Sequence, residues 1–323
     1  MSRVVIVGKI HSDGLTVLQH RHDLVLDQLD DATEAEVAAA ARGADAILIR
    51  TSRLSAAAIG GAPHLKVVSR HGVGYDNIDV ETLTARRIPL AVVGAINAVS
   101  VAEHAFFMLL ATMKHGFAYD RAVRRGAWGF RNSLAARELA GKTLLIVGYG
   151  RIGREVAQRA LAFGMRVIAC DPYVNGPPEG TAVQLIADLD AVLPEADAVT
   201  LHVPLTSATR LLFDRARLAR MKPSSVLICT ARGDLIDEAA LAEALAGGRL
   251  AAAGIDVFAE EPPPADHPLF ALDNVVLSPH SAALTQECAA RMSAVAAQNC
   301  LDGLDGRLDP ALVVNREILG VHP

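Results

Sequence analysis

Short apolar runs alternate with stretches of helical periodicity from the start of the chain. Runs at Val4 to Val7, Leu24 to Leu26, Ala46 to Ile49, Leu65 to Ser69 and Leu90 to Val93 each have the length of a buried strand. Between the second and third, Thr33-Glu-Ala-Glu36 has the spacing of a capping box, and Gly43 follows as a terminal glycine, so a helix is predicted there. Strand and helix in alternation predict a parallel sheet. A second series follows at Leu144 to Gly148, Arg166 to Cys170, Val183 to Ile186, Ala198 to Leu201, Ser225 to Cys229, Ala251 to Asp256 and Asn274 to Ser278. It is long enough for a second sheet wound in the same way.

Between the two series, Ser100-Val-Ala-Glu103 reads as another capping box, opening an apolar helix through Met113 that Gly116 ends or bends. It is taken as the bridge between domains. A last helix, Thr285 to Cys300, leads to Asp309-Pro-Ala-Leu-Val-Val-Asn315, which is expected to return to the first domain. The fold class is therefore α/β, with two doubly wound parallel-sheet domains.

The junction after Leu144 carries the first chemistry. The run Leu144-Leu-Ile-Val147 ends in Gly148-Tyr-Gly150-Arg151-Ile152-Gly153 and passes into a helical pattern. Gly148 permits a tight turn, Gly150 lets backbone approach a pyrophosphate, and Gly153 lets helix pack on strand. The helix start at Arg151 and Ile152 offers unpaired N–H groups and a partial positive charge to an anion. Asp171, 18 positions beyond Gly153, closes the next strand. An acid there accepts hydrogen bonds from a ribose diol and repels a 2′-phosphate, which favours NAD as the cofactor.

Composition narrows the picture. With 323 residues, 51% of them hydrophobic, the chain can build two cores. A net charge of −5 without a basic run gives no support to nucleic-acid or membrane-surface binding. The apolar start, Val4 to Val7, is too short for a signal peptide, and no segment is long enough to span a bilayer. Cys170, Cys229, Cys288 and Cys300 have no metal spacing and read as structural thiols of a reducing cytoplasm.

In open parallel sheets ligands bind beyond the carboxyl ends of the strands. His202, Thr230, Arg232, Asp256 and His280 all follow predicted strands of the second series. Each has a plain alternative: a hydrogen-bonded structural histidine, a surface ion-pair arginine, or the turn chemistry of Asp256-Val-Phe-Ala-Glu-Glu261-Pro. Together they supply a cation, imidazoles and carboxylates to one edge.

Six motifs now carry a resemblance: Gly72-Val-Gly-Tyr-Asp-Asn-Ile-Asp79, Asn97-Ala-Val-Ser-Val-Ala-Glu103, the Gly148–Gly153 turn, Thr230-Ala-Arg-Gly233, Asp256–Pro262 and Ser278-Pro-His-Ser281. In this order, over nearly the whole chain, they resemble the D-isomer-specific 2-hydroxyacid dehydrogenases, a family that includes phosphoglycerate, glycerate and D-lactate dehydrogenases. The resemblance implies a Rossmann NAD-binding domain at 99–284, inserted into a flavodoxin-like substrate domain made of 1–98 and 285–323. It implies that Arg232, Glu261 and His280 are catalytic, that His202 and Thr230 line the cofactor, and that Asp256 holds the nicotinamide carboxamide. It implies a homodimer through the nucleotide domains, although burial within one chain explains the apolar helix after Ser100 equally well; as a departure from some phosphoglycerate dehydrogenases, no regulatory module is expected after residue 323.

The residue types suit hydride transfer between nicotinamide and C2 of a 2-hydroxy or 2-keto acid. His280 can give a proton to the carbonyl oxygen, with Glu261 on its other ring nitrogen keeping that proton available. Arg232 offers a fixed charge and a planar fork to the keto oxygen and carboxylate. Backbone N–H groups of Val73 and Gly74, in a glycine-flanked turn, can cradle the same carboxylate, although a plain loop has the same composition. Arg50, Arg53, Arg70, His71 and Trp128 fall in segments that can face a substrate, and Arg50 or Arg53 can meet a second acidic group or stay solvated. Related corepressors use the same fold as an NADH-responsive binding module, so that alternative stays open. A formate dehydrogenase reading is weaker, because that branch has Gln where this chain has Glu261.

Overall fold

The structure is a computed structural model and describes residues 1–174, 176 and 180–320. The chain divides into two compact units, Met1–Asn97 with the segment from Leu284 onward, and Ala98–Ala283.

In the first unit the apolar runs form β1 (Ser2–Val7), β2 (Leu24–Leu29), β3 (Ala46–Ile49), β4 (Val67–Arg70) and β5 (Leu90–Ala91). They pair in parallel in the order β2-β1-β3-β4-β5, the flavodoxin-like arrangement. β5 is shorter than its apolar run because the N–H of Val92 donates to Leu312 and that of Val93 to Gly72. One face of the sheet, with Val5, Val7, Ile47, Ile49, Val68 and Leu90, closes over a core with Val37, Leu54 and Ile59. The other packs on the helix Gln286–Leu304, where the Ser69 hydroxyl donates to the Ala296 carbonyl at 2.8 Å.

The Thr33 capping box is present, with the Thr33 N–H donating to Glu36 at 2.8 Å. Gly43 is not the left-handed cap expected of it, because the helix Glu34–Ala41 closes on Arg42 in right-handed geometry. The tail does return to this unit: Val313 bridges Ala91, and the Asn315 side chain bonds the N–H of Leu90 and the carbonyl of Ile88.

The second unit holds β6 (Thr143–Val147), β7 (Arg166–Cys170), β8 (Val183–Leu185), β9 (Ala198–Leu201), β10 (Val226–Cys229), β11 (Ala252–Ile255) and β12 (Val275–Leu277). All pair in parallel, in the order β12-β11-β10-β9-β6-β7-β8, a Rossmann sheet with one further strand at the edge. Burial on both faces is why these strands read as unbroken apolar runs. Leu145, Val147, Val199, Leu201, Leu227 and Cys229 enter one core, and their neighbours Leu144, Ile146, Ala198, Val226 and Ile228 enter another.

The predicted capping box at Ser100 is absent. The helix Ala98–Met113 begins two residues earlier and buries Ser100, while Glu103 reaches Arg159 at 3.4 Å. The buried stripe that starts at Ala98, with Val101, Ala102 and Ala105, outweighs a cap at Ser100. A left-handed His115, φ 51°, separates this helix from the next, Gly116–Arg124, so Gly116 opens an element where it was expected to end one. The four cysteines are buried and none is joined in a disulfide. Among the described residues no helix is long and apolar enough to cross a membrane.

Candidate active site

Every polar residue singled out in the second series lies at the carboxyl end of its strand, and the order reverses between β6 and β9. A crevice at such a reversal is where open sheets take ligands. At the head of β6 the glycine turn is tight. Gly148 has φ 96°, and a Cβ there would lie 2.8 Å from the His202 backbone. A Cβ on Gly153 would lie 2.2 Å from the Gly148 carbonyl oxygen, so the helix Arg151–Ala162 can sit this close only on glycine. Above Gly150 a Cβ would meet nothing within 4 Å. Gly150 caps the helix without a side-chain hydrogen bond, and the first turn holds no acid. The N–H groups at Arg151 and Ile152 therefore sit at an electropositive end with open space beside it.

Asp171, one strand over, accepts hydrogen bonds from the N–H groups of Tyr149 at 2.8 Å and Tyr173 at 2.9 Å. Its carboxylate thereby fastens β7 to the glycine turn, and each oxygen keeps a lone pair for a further donor.

His202 and Thr230 follow β9 and β10, whose register pairs Leu201 with Cys229 one residue earlier. His202 Nε2 is 2.9 Å from the Thr200 hydroxyl. Burial pushes the ring down to about 3, so it is neutral at ordinary pH. Its Nδ1 and the Thr230 hydroxyl are buried without a hydrogen-bond partner. Orphaned polar atoms are costly, and two of them at neighbouring strand ends fit a ligand with polar groups at that place.

Arg232, Glu261 and His280 come together. Glu261 Oε2 is 2.6 Å from His280 Nδ1, and Oε1 accepts the Phe258 N–H at 3.0 Å. Burial works to raise the Glu261 carboxyl. The hydrogen bonds from His280 and Phe258 and the charges of His280 and Arg232 outweigh it, so the group stays below the ordinary carboxylate range. His280 holds a left-handed backbone, φ 48°, which costs energy for a side chain of this size. The Glu261 and His280 side chains are 36% and 39% exposed, open enough for a reactant to reach. They form one wall of an apolar pocket of about 400 Å³ with Phe258, Phe270 and Leu277.

The loops that carry Arg232 and Glu261 are pressed together at Gly233, where a Cβ would lie 2.0 Å from the Phe258 carbonyl carbon. Glu238 supports the second loop, accepting the Ala259 N–H at 2.9 Å and lying 3.2 Å from His267 Nε2. Sequence reasoning missed Glu238 and His267, which meet each other across 29 residues.

Asp256 follows β11 directly. None of its surface is exposed. Its carboxylate accepts the Ser278 hydroxyl at 2.5 Å and the N–H groups of Ser281 at 2.8 Å and Ala282 at 3.0 Å. Here it ties down the loop that carries His280.

Val73, Gly74 and Arg50 belong to the first unit, at the carboxyl edge of its sheet. β4 runs into Arg70, His71 and Gly72, and the Arg70 guanidinium donates to the His71 carbonyl. His71 is buried, with Nε2 2.8 Å from the Ser293 hydroxyl, which itself accepts the His11 N–H at 2.9 Å. Burial and the charges of Arg50 and Arg70 lower the ring to about 4. Val73 and Gly74 follow, half-buried. Arg50 bonds the Lys9 carbonyl at 2.8 Å, Arg53 is exposed, and Trp128, in the second unit, is 67% exposed.

The parallel order, the glycine turn and the orphaned polar atoms define a dinucleotide-binding α/β protein. Residues 106–282 match the family model described as D-isomer specific 2-hydroxyacid dehydrogenase, NAD binding domain. The chain is 37% identical over 328 residues to the glyoxylate reductase of Thermofilum pendens, covering 99% of this chain and 96% of that one. It is 37% identical over 310 residues to the D-3-phosphoglycerate dehydrogenase of Methanocaldococcus jannaschii, covering 95% of this chain but 58% of that one. The chain thus spans little more than half the length of the phosphoglycerate dehydrogenases it matches. The D-lactate dehydrogenase of Aquifex aeolicus, solved with NAD and lactic acid, superposes with a TM-score of 0.87 at 28% identity, covering 97% and 99% of the two chains. The chain belongs to the D-isomer specific 2-hydroxyacid dehydrogenase family and carries its NAD-binding domain.

Proposed function

We propose that this protein is an NAD-dependent oxidoreductase that interconverts a D-2-hydroxy acid and its 2-keto acid. The observation that carries this reading is the Glu261–His280 pair at 2.6 Å, within the field of Arg232 and on the dinucleotide edge of the sheet. NAD supplies the hydride acceptor for C2 of the hydroxy acid and, reduced, the donor for the keto acid. Residues fitted to hold it are Gly148, Gly150, Arg151, Ile152 and Gly153 for the phosphates, Asp171 for a ribose diol, and His202 and Thr230 for its polar groups.

As negative charge develops on the carbonyl oxygen, His280 delivers a proton from Nε2, because Nδ1 faces Glu261. The Glu261 carboxylate, held ionised by its neighbours, fixes the ring and offsets the charge it carries. Arg232 polarises the oxygen and grips the substrate carboxylate. In oxidation the imidazole takes the proton. The names of the relatives support the enzyme over the binding module.

The substrate domain is the unit holding residues 1–97 and 284 onward, and the other unit is the cofactor domain. The partner is a second copy. Phe107, Phe117, Val123, Trp128, Phe130 and Leu134 leave large apolar side chains exposed between positions 107 and 134 of the cofactor domain, and a homodimer covers them. Sedimentation equilibrium tests this. We assign the protein to the cytoplasm, where cysteines that form no disulfide belong.

The deciding experiment is NADH oxidation with glyoxylate, hydroxypyruvate, pyruvate and 3-phosphohydroxypyruvate. Turnover of at least one is expected. Tight NADH binding without turnover of any would transfer the assignment to an NADH-responsive binding module.

A further inference from the structure

We propose that His104 is a positioning residue for the proton-transfer histidine, acting through Ser278 on the carboxylate that clamps the His280 loop. This deepens the dehydrogenase reading and rests on it.

The helix Ala98–Met113 packs over β10, β11 and β12, which brings His104 against the end of β12. His104 Nε2 lies 2.8 Å from the Ser278 hydroxyl and 3.6 Å from Asp256 Oδ1. Ser278 in turn is 2.5 Å from Asp256 Oδ1. The direction of these bonds follows from Asp256. Both of its oxygens receive backbone N–H groups, Ser281 on Oδ1 and Ala282 on Oδ2. The Ser278 hydroxyl donates its single proton to Asp256 Oδ1. Ser278 must then accept from His104, whose Nε2 carries a proton in one neutral tautomer and in the imidazolium form alike. Imidazole, hydroxyl and carboxylate form one directed chain.

The far end of that chain is the His280 loop. Asp256 holds it at four points: the Ser278 hydroxyl and the N–H groups of Ser281 and Ala282 through the carboxylate, and the His280 N–H through its own carbonyl at 2.7 Å. The last bond is made with His280 in its left-handed conformation, which the surroundings must impose. Without the His104 donor the Ser278 hydroxyl is free to rotate, and the clamp on one side of His280 loosens. His104 itself is 20% exposed and meets Ser278 and Asp256, so its effect on His280 passes through those two residues.

The test uses His104→Leu, Ser278→Ala, the double variant and His104→Gln, whose amide can donate to Ser278 in place of the ring. Kinetics are read with whichever 2-keto acid the wild type turns over. Hydrogen exchange at the Ser281 and Ala282 amides is read by mass spectrometry. Each single change should lower kcat about tenfold, as expected for a lost hydrogen bond to a charged network, with KM for NADH unchanged. The double variant should be no worse than either single one, because both break the same chain. His104→Gln should recover to within about threefold of wild type, and amide protection should fall in the first three variants only. A His104→Leu enzyme with wild-type kcat and protection, or a double variant in which the two losses multiply, overturns the proposal. A wild type that turns over no keto acid sinks the dehydrogenase reading, and the exchange data alone then decide whether His104 holds the loop.

Discussion

His280 Nδ1 and Glu261 Oε2 are 2.6 Å apart across 19 residues of sequence, and the pair is fixed from both ends. The Phe258 N–H holds the carboxylate, and the Asp256 carbonyl holds the His280 backbone. Only Nε2 is left to face a reactant. His280→Ala should lower kcat by about two orders of magnitude or more, the usual worth of a positioned acid, while NADH affinity measured by fluorescence titration persists. Near-normal turnover would remove His280 from proton transfer.

Arg232 should tolerate no substitute. Lysine keeps the charge but cannot present two parallel N–H groups to a carboxylate and a keto oxygen. Arg232→Lys should reduce kcat/KM for the keto acid at least about a hundredfold. Steady-state kinetics with unchanged constants would contradict the placement.

Much of this was legible in the sequence because it is written locally. Buried parallel strands are unbroken apolar runs, and the glycine turn needs its three glycines for reasons of contact that hold in any such sheet. Boundaries were less legible where tertiary packing overrides a local signal, as at Ser100, where a buried stripe carries the helix past its apparent cap. Least legible were the supports of the site. His104, Ser278, Glu238, His267 and Ser293 act through partners tens to hundreds of residues away, and no spacing rule marks them. Asp256 shows the same limit, since its strand-end position was visible but its enclosure by the 278–282 loop was not.

Gly153 offers a test of the cofactor site that needs no substrate. A methyl group there would have to occupy a point 2.2 Å from the Gly148 carbonyl oxygen, so the helix must retreat from the turn. Gly153→Ala should weaken NADH binding at least about tenfold and cost about 1 to 3 kcal/mol of stability. Gly150→Ala has free space and should leave stability unchanged while still weakening NADH binding. Titration calorimetry with thermal melts separates the two effects, and equal stability of both variants would refute the distinction.

Asp171 should set the choice between NADH and NADPH. Its carboxylate repels a 2′-phosphate, and it also fastens the Tyr149 N–H. Asp171→Ser retains an acceptor of smaller reach and removes the charge. The ratio of kcat/KM for NADPH over NADH should rise at least about tenfold, with absolute NADH efficiency falling. A variant that loses efficiency equally with both cofactors would assign Asp171 to the turn alone.

His71 should make the substrate domain sensitive to acid. Its folded value, lowered to about 4 from 6.5, means that the folded chain holds the ring neutral while the unfolded chain protonates it more readily. The stabilising contribution is therefore complete above about pH 6.5 and is lost as pH falls towards 4, to a total of about 3 kcal/mol. His71→Gln removes the titrating group while keeping a polar atom near Ser293. Between pH 7 and pH 5 the wild type should lose about 2 kcal/mol more than the variant, read from urea midpoints at the two pH values. Because the buried His202 is common to both proteins, its own acid sensitivity cancels in the difference. Parallel losses in the two proteins would show that His71 is not held neutral by its surroundings.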